Sequence, residues 1–140
     1  ELIAGGDIEE AVDVAMYILK GYDGCMETYR ALDYARSLDA GSAPPLEAVG
    51  CLGRGAAAEE ALSIAVYCAL CHSENAENAL LLSVNHDGNS NSTGSICGNI
   101  MGAYLGAKAL PKKWLKKLEL SQLITEMSDK LYDHTARADR

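Results

Sequence analysis

Apolar positions along this chain recur at three- and four-residue intervals, and turn residues cut them into helical blocks. Val12, Ala15, Met16, Ile18 and Leu19 predict a first helix from Ile8 to about Lys20. Asp7 stands at its start with Glu10 three residues on, the spacing of a capping box, and Gly21 supplies the stop. The second block, about 24–38, sets Met26, Tyr29, Leu32 and Ala35 on one side; Gly41 ends it and Ser42-Ala43-Pro44-Pro45 connects onward. Pro45 suits the first turn of a short helix through Val49. The third long block, about 57–71, is apolar nearly all round, which predicts a helix buried on most sides. Glu59 and Glu60 lie in its first turn, where they favour the helix dipole. They point about 100° apart, so they read as first-turn stabilisers rather than as a shared-proton pair. Further helices are expected at about 75–84, 93–107 and 121–136, the last with Leu123, Ile124, Met127 and Leu131 on one side and a fraying tail from His134. No stretch alternates with β-branched residues and Phe is absent, so the expected fold is all-α with a core of Ala, Leu, Ile, Val and Met.

Two breaks in the pattern carry the candidate chemistry. The first is the polar run Asn85-His86-Asp87-Gly88-Asn89-Ser90-Asn91-Ser92-Thr93-Gly94, which has no large apolar side chain. It leads into a helix with Gly94, Gly98, Gly102 and Gly106, one every four residues. Each glycine costs a helix roughly 1 kcal/mol relative to alanine, so the stripe implies close approach of another backbone. A helix N-terminus with unpaired N–H groups favours anions, and the loop oxygens could instead hold a hard cation. His86 reads equally as a group that orients a ligand and as one that holds the loop. The second break is Gly50-Cys51-Leu52-Gly53-Arg54-Gly55, glycine-rich like a phosphate loop but without the Gly-Lys-Ser/Thr of a Walker motif. By itself it reads as a helix connector.

The polar run resembles the C-terminal signature of the ADP-ribosylglycohydrolase family, His-x-Gly-Asp-Ser-Asp-Ser/Thr-Thr-Gly followed by a glycine-striped helix. His86, Gly88, Ser90, Ser92, Thr93, Gly94, Gly98, Asn99, Gly102, Ala103 and Gly106 carry the match. Upstream, Glu59-Glu60-Ala61-Leu62-Ser63-Ile64-Ala65 resembles the family's Glu-Glu-Ala-Leu helix; downstream, Leu110-Pro111-Lys112-Lys113-Trp114-Leu115 resembles its Ile-Pro-x-x-Trp-Leu segment. The order and spacing of the three motifs agree over about residues 46–133.

The resemblance implies a compact orthogonal multi-helix domain of which residues 1–140 form the C-terminal part. The N-terminal half, with its own metal-ligating Thr-Asp-Asp segment, then belongs to another segment or chain. It implies a hydrolase that removes ADP-ribose from a modified acceptor through a two-Mg²⁺ site. Its metal positions fall on Asn89, Asn91 and Ser92, and its ligand-facing positions on His86, Gly88, Ser90, Thr93, Gly94, Gly53 and Gly55. Both signature aspartates are asparagine here, and Gly53-Arg54-Gly55-Ala56-Ala57 replaces a turn in which the family often carries an acidic residue, a tryptophan and a valine. Loss of two charges weakens a Mg²⁺ site. The expectation is therefore an impaired or inactive hydrolase or, alternatively, a non-catalytic ADP-ribose or nucleotide binder or structural protein on the same fold.

Composition narrows this little. A net charge of −8 argues against a general nucleic-acid binder. No run of eighteen apolar residues is present, so no membrane span is expected. An odd count of five cysteines without secretory signals predicts reduced thiols and a cytoplasmic setting. Cys68-x-x-Cys71 with His72 has the outline of half a zinc site but no second Cys pair, and reads as core thiols. Lys112-Lys113-Trp114-Leu115-Lys116-Lys117 reads as a solvated face with Trp114 and Leu118 turned inward.

Overall fold

A computed structural model describes residues 1–38 and 44–138, with side chains through residue 134. Among the described residues all regular structure is helical: α1 (Ile8–Leu19), α2 (Met26–Ser37), α3 (Pro45–Cys51), α4 (Ala58–Cys71), α5 (Ala76–Val84), α6 (Ser90–Leu105), α7 (Lys112–Leu115) and α8 (Ser121–Ala138). Single 3-10 turns occupy Leu2–Ala4 and Ala107–Ala109. The expected stop at Gly41 and the Ser42-Ala43 part of the connection lie outside the described residues, as do the last two positions of the tail.

Local chemistry accounts for most helix ends. The Asp7 carboxylate accepts the Glu10 N–H at 2.8 Å, and the Glu10 carboxylate accepts the Asp7 N–H in return. Gly24 has φ +77°, a left-handed conformation that a helix cannot continue, so α2 starts at Met26 rather than Gly24. Asn89 caps α6, which moves its start to Ser90, about one turn before the expected Thr93. Gly106, with φ +74°, stops it.

The chain divides into two units, Glu1–Ala109 and Leu110–Arg140. The first is organised around α4, whose Ala61, Ser63, Ile64, Ala65, Val66, Tyr67, Cys68 and Ala69 are all buried, as the near-continuous apolar pattern requires. It packs against α2, α5 and α6, with α1 and α3 at its flanks. These contribute Ile8, Val12 and Met16 from α1, Leu32 and Ala35 from α2, Ala48 and Val49 from α3, and Cys97 and Met101 from α6. Ala61, Ala65 and Ala69, spaced by four, keep one face of α4 shallow. Cys68 and Cys97 belong to this core. Burial raises both thiols, Cys97 to about 11, so neither ionises near neutral pH.

The glycine stripe of α6 departs from expectation. A Cβ at Gly94 would lie 2.6 Å from Val84 Cγ1, so α5 and α6 do approach closely there, through a side chain rather than a backbone. At Gly98 the nearest atom is an ordinary 3.6 Å away, and at Gly102 nothing lies within 4 Å. Close packing thus explains one of the three helical glycines.

The second unit holds α7 and α8. Trp114 and Leu118 are 37% and 46% exposed, against the expected inward orientation; the segment is too short to bury both flanks of its lysine run. The Lys113 ammonium sits 5.7 Å from the Trp114 ring centre. Leu123, Ile124, Met127 and Leu131 share one side of α8, as predicted, and are exposed. No helix among the described residues is long and apolar enough to cross a membrane.

Candidate functional site

The two breaks in the apolar pattern meet in space. The turn between α3 and α4 and the loop between α5 and α6 border a cleft of about 310 Å³ lined by Leu46, Gly50, Gly53, Arg54, Asn85, His86 and Asp87.

The turn is shaped from within. Glu60 is the third residue of α4, and the N-cap, Ala57, has no side-chain acceptor. The Glu60 carboxylate reaches back instead: its Oε2 accepts the N–H groups of Arg54 at 3.2 Å and Ala56 at 3.1 Å. These bonds hold its carboxyl below the usual carboxylate range; partial burial opposes them, and the backbone at Ala57 and Gly55 adds to the lowering. Gly53 has φ +112°, and a Cβ there would sit 2.6 Å from the Glu60 side chain. The phosphate-loop look of this segment therefore has an internal occupant, since two of its N–H groups serve Glu60.

The loop is docked on that turn. The Arg54 carbonyl accepts the Asn89 N–H at 2.7 Å. Gly88 passes so close that a Cβ would overlap the Arg54 carbonyl oxygen, and Gly55, with φ +67°, leaves room for the Thr93 methyl. Gly53, Gly55 and Gly88 are thus brought together, each required by backbone geometry.

Much of the loop's oxygen serves the end of α5. A helix leaves its last four carbonyls without partners. Two of them accept loop hydroxyls here: Ser83 from Thr93 at 2.6 Å and Val84 from Ser90 at 2.9 Å; the Leu81 carbonyl, which already takes the Asn85 N–H, also accepts Asn85 Nδ2 at 2.7 Å. Thr93 is fully buried and Ser90 is half-buried. Both candidate ligand-facing hydroxyls are committed to the scaffold, and Gly94 lies inside the α5–α6 contact.

Thr93 also orients His86. Its single hydroxyl proton goes to Ser83, so the 3.0 Å contact with His86 Nε2 has the imidazole N–H donating to Oγ1. Nδ1 then remains as the second ring nitrogen, on a side chain that lines the cleft. Both readings of His86 meet in one geometry: one nitrogen holds the loop, and the ring faces the opening.

Asn89, Asn91 and Ser92 fall on the cap and first turn of α6. Asn89 and Asn91 are exposed and Ser92 half-buried. Asn89 Oδ1 accepts the Ser92 N–H at 3.3 Å, the capping bond. Sequence reasoning missed Arg54 and Asn85 as cleft residues and Glu60 as the clamp. A glutamate at the third helical position behind a cap that cannot bond was the available signal for Glu60.

A family model for ADP-ribosylglycohydrolases matches residues 1–140. The chain belongs to the ADP-ribosylglycohydrolase family. The match reaches beyond the motif-bearing residues to α1 and α2. A curated relative, the ADP-ribosylarginine hydrolase Tri1 of Pseudomonas putida (strain GB-1), is 30% identical over 71 residues, covering 51% of this chain and 19% of that protein. No solved structure matches the chain.

Members of the family use divalent metal ions. The residues at the corresponding positions do not fit such an ion well. They offer neutral carbonyl and hydroxyl oxygens, and one of these already accepts a capping N–H. Among the described residues no group of three or more His, Cys, Asp or Glu could hold a metal. Mg²⁺ sheds its water reluctantly and is ordinarily bound through carboxylates.

Proposed function

We propose that this chain serves an ADP-ribosyl-hydrolase-like function, as the C-terminal part of a domain that recognises the ADP-ribosyl group of a modified acceptor, with turnover impaired. The observation that carries the reading is the cleft itself. The family's signature loop and the turn before its Glu-Glu helix close on one opening lined by Arg54, Asn85, His86 and Asp87. Arg54 supplies a cation for the ligand's phosphates. His86, oriented through Thr93, presents its ring to the bound sugar, and Asn85 adds an amide oxygen.

The neutral donor set at Asn89, Asn91 and Ser92 favours a second reading, a binder of ADP-ribose or a related nucleotide without catalysis. ADP-ribose titration into the intact protein by calorimetry tests the shared part of both readings. Arg54→Ala should weaken binding at least tenfold and leave the melt unchanged, because the turn uses the Arg54 backbone and not its side chain. Equal affinity in parent and variant would remove the cleft from the account. ADP-ribose release from a modified acceptor then separates hydrolase from binder.

A further inference from the structure

Residue 54 is gripped from two sides. Its N–H donates to the Glu60 carboxylate, and its carbonyl accepts the Asn89 N–H. Beyond Asn89 the chain of bonds continues: the Asn89 carbonyl accepts the Thr93 N–H at 3.3 Å and the Asn89 side chain caps α6. Glu60 bonds to the backbone of the turn, Arg54 included, rather than to a side chain proposed to meet ligand or metal. Its carboxylate instead bridges the N–H groups on both sides of Gly55, which fixes the direction in which the intervening Arg54 carbonyl points.

We propose that Glu60 is a positioning residue for the Asn85–Ser92 loop, acting through the Arg54 peptide: its carboxylate sets the turn, and the turn sets the register of Asn89 and with it the first turn of α6. This assignment rests on the proposed function only in treating the loop as the ligand side of the cleft. The mechanical coupling stands or falls without any ligand. Three features support it. Gly88 packs against the Arg54 carbonyl with no room for a Cβ, so the loop follows any rotation of that peptide. Gly53 is held in a left-handed conformation against the Glu60 side chain, so the turn has little freedom while the carboxylate is in place. The Arg54 and Ala56 N–H groups converge on one oxygen of this carboxylate, Oε2, so a single side chain holds both ends of the turn's central peptides. The ionisable groups lining the adjoining cleft are Arg54, His86 and Asp87; no charge enters the causes of the Glu60 lowering, which are backbone hydrogen bonds opposed by burial.

The test is amide hydrogen exchange of the intact protein, followed by mass spectrometry for segments 53–57 and 85–92, with segment 64–71 of α4 as the internal control. Glu60→Gln should speed exchange in both 53–57 and 85–92 by roughly tenfold, and Glu60→Asp, which keeps the charge on a shorter arm, should recover part of the protection in both. Acceleration confined to 53–57 would overturn the proposal, as would equal acceleration in the α4 control, which would mark Glu60 as a general stabiliser. If Glu60→Gln does not fold, the parent protein answers by NMR titration. The amides of Arg54, Ala56 and Asn89 should then shift with one shared midpoint, below the ordinary glutamate range. An Asn89 amide that stays still while Arg54 and Ala56 titrate would equally overturn it. ADP-ribose affinity is measured beside these: its loss with intact coupling contradicts the proposed function alone.

Discussion

Two sets of glycines in the first unit look alike in sequence and differ in kind. Gly53, Gly55 and Gly88 stand where the α3–α4 turn meets the α5–α6 loop, and each is required by a left-handed backbone or by contact with another backbone or side chain. Gly94, Gly98 and Gly102 form a regular stripe on α6, yet only Gly94 is pressed by a neighbour. Periodicity drew attention to the stripe, but tight geometry lies at the irregular glycines. The difference teaches that the two signature segments are built as one interlocked knot. The α6 stripe has no such requirement along most of its length.

Substitution with alanine is the way to break the comparison. The largest effect is expected at Gly88. A methyl there meets the Arg54 carbonyl, which is backbone and cannot step aside. Gly88→Ala should cost about 3 kcal/mol, the upper part of the usual overpacking range, read as a lowered melting temperature. Gly53→Ala comes next, at about 2 kcal/mol, because a left-handed non-glycine residue costs roughly 1–2 kcal/mol and the methyl also displaces the Glu60 clamp. Gly94→Ala should cost about 1 kcal/mol, since the far end of Val84 can rotate away and helix propensity returns part of the loss. Gly98→Ala and Gly102→Ala should be neutral or stabilising by up to about 1 kcal/mol. A destabilisation at Gly102 as large as that at Gly88 would erase the distinction between the two sets.

A smaller, pH-dependent effect sharpens the same picture. The Glu60 carboxyl is held below its ordinary range by the Arg54 and Ala56 N–H groups. A carboxyl lowered on folding adds stability above its unfolded value, and that stability is lost as pH falls through the folded value. Glu60→Gln should therefore melt below the parent near pH 7, and the gap should close in acid. A gap that stays constant from pH 7 to pH 3 would mean that the Glu60 charge is irrelevant to the turn.

What was legible in the sequence was what neighbouring residues decide. Asp7 and Glu10 specified their capping box because both partners lie within one turn, and the apolar run of α4 specified its burial because that pattern admits no exposed face. Three motifs in order carried the family and with it the all-α fold. The candidate site was legible in place and less so in role. The resemblance places Ser90 and Thr93 on the ligand side of the loop; that their hydroxyls also donate to carbonyls at the end of α5 was not legible, because no local rule announces that the helix stops there. Glu60 looked like a dipole stabiliser because its partners are backbone N–H groups, which every residue has. Trp114 and Leu118 were expected inside because they are apolar, although a four-residue α7 offers too little surface to cover them.

The central proposal is that Asn89, Asn91 and Ser92 stand at the family's metal positions with neutral donor oxygens in place of carboxylates. Asn89→Asp with Asn91→Asp restores two carboxylates on the same first turn of α6, where Asp also caps a helix as well as Asn does. The direct measurement is Mg²⁺ titration of the intact protein by calorimetry, parent against double variant, with ADP-ribose release recorded at each metal concentration. The account predicts weak Mg²⁺ binding and little release in the parent. In the double variant it predicts at least a tenfold gain in affinity with the onset of release, greater than the two single variants combined because both side chains serve one site. Tight Mg²⁺ binding and full release by the parent would contradict it.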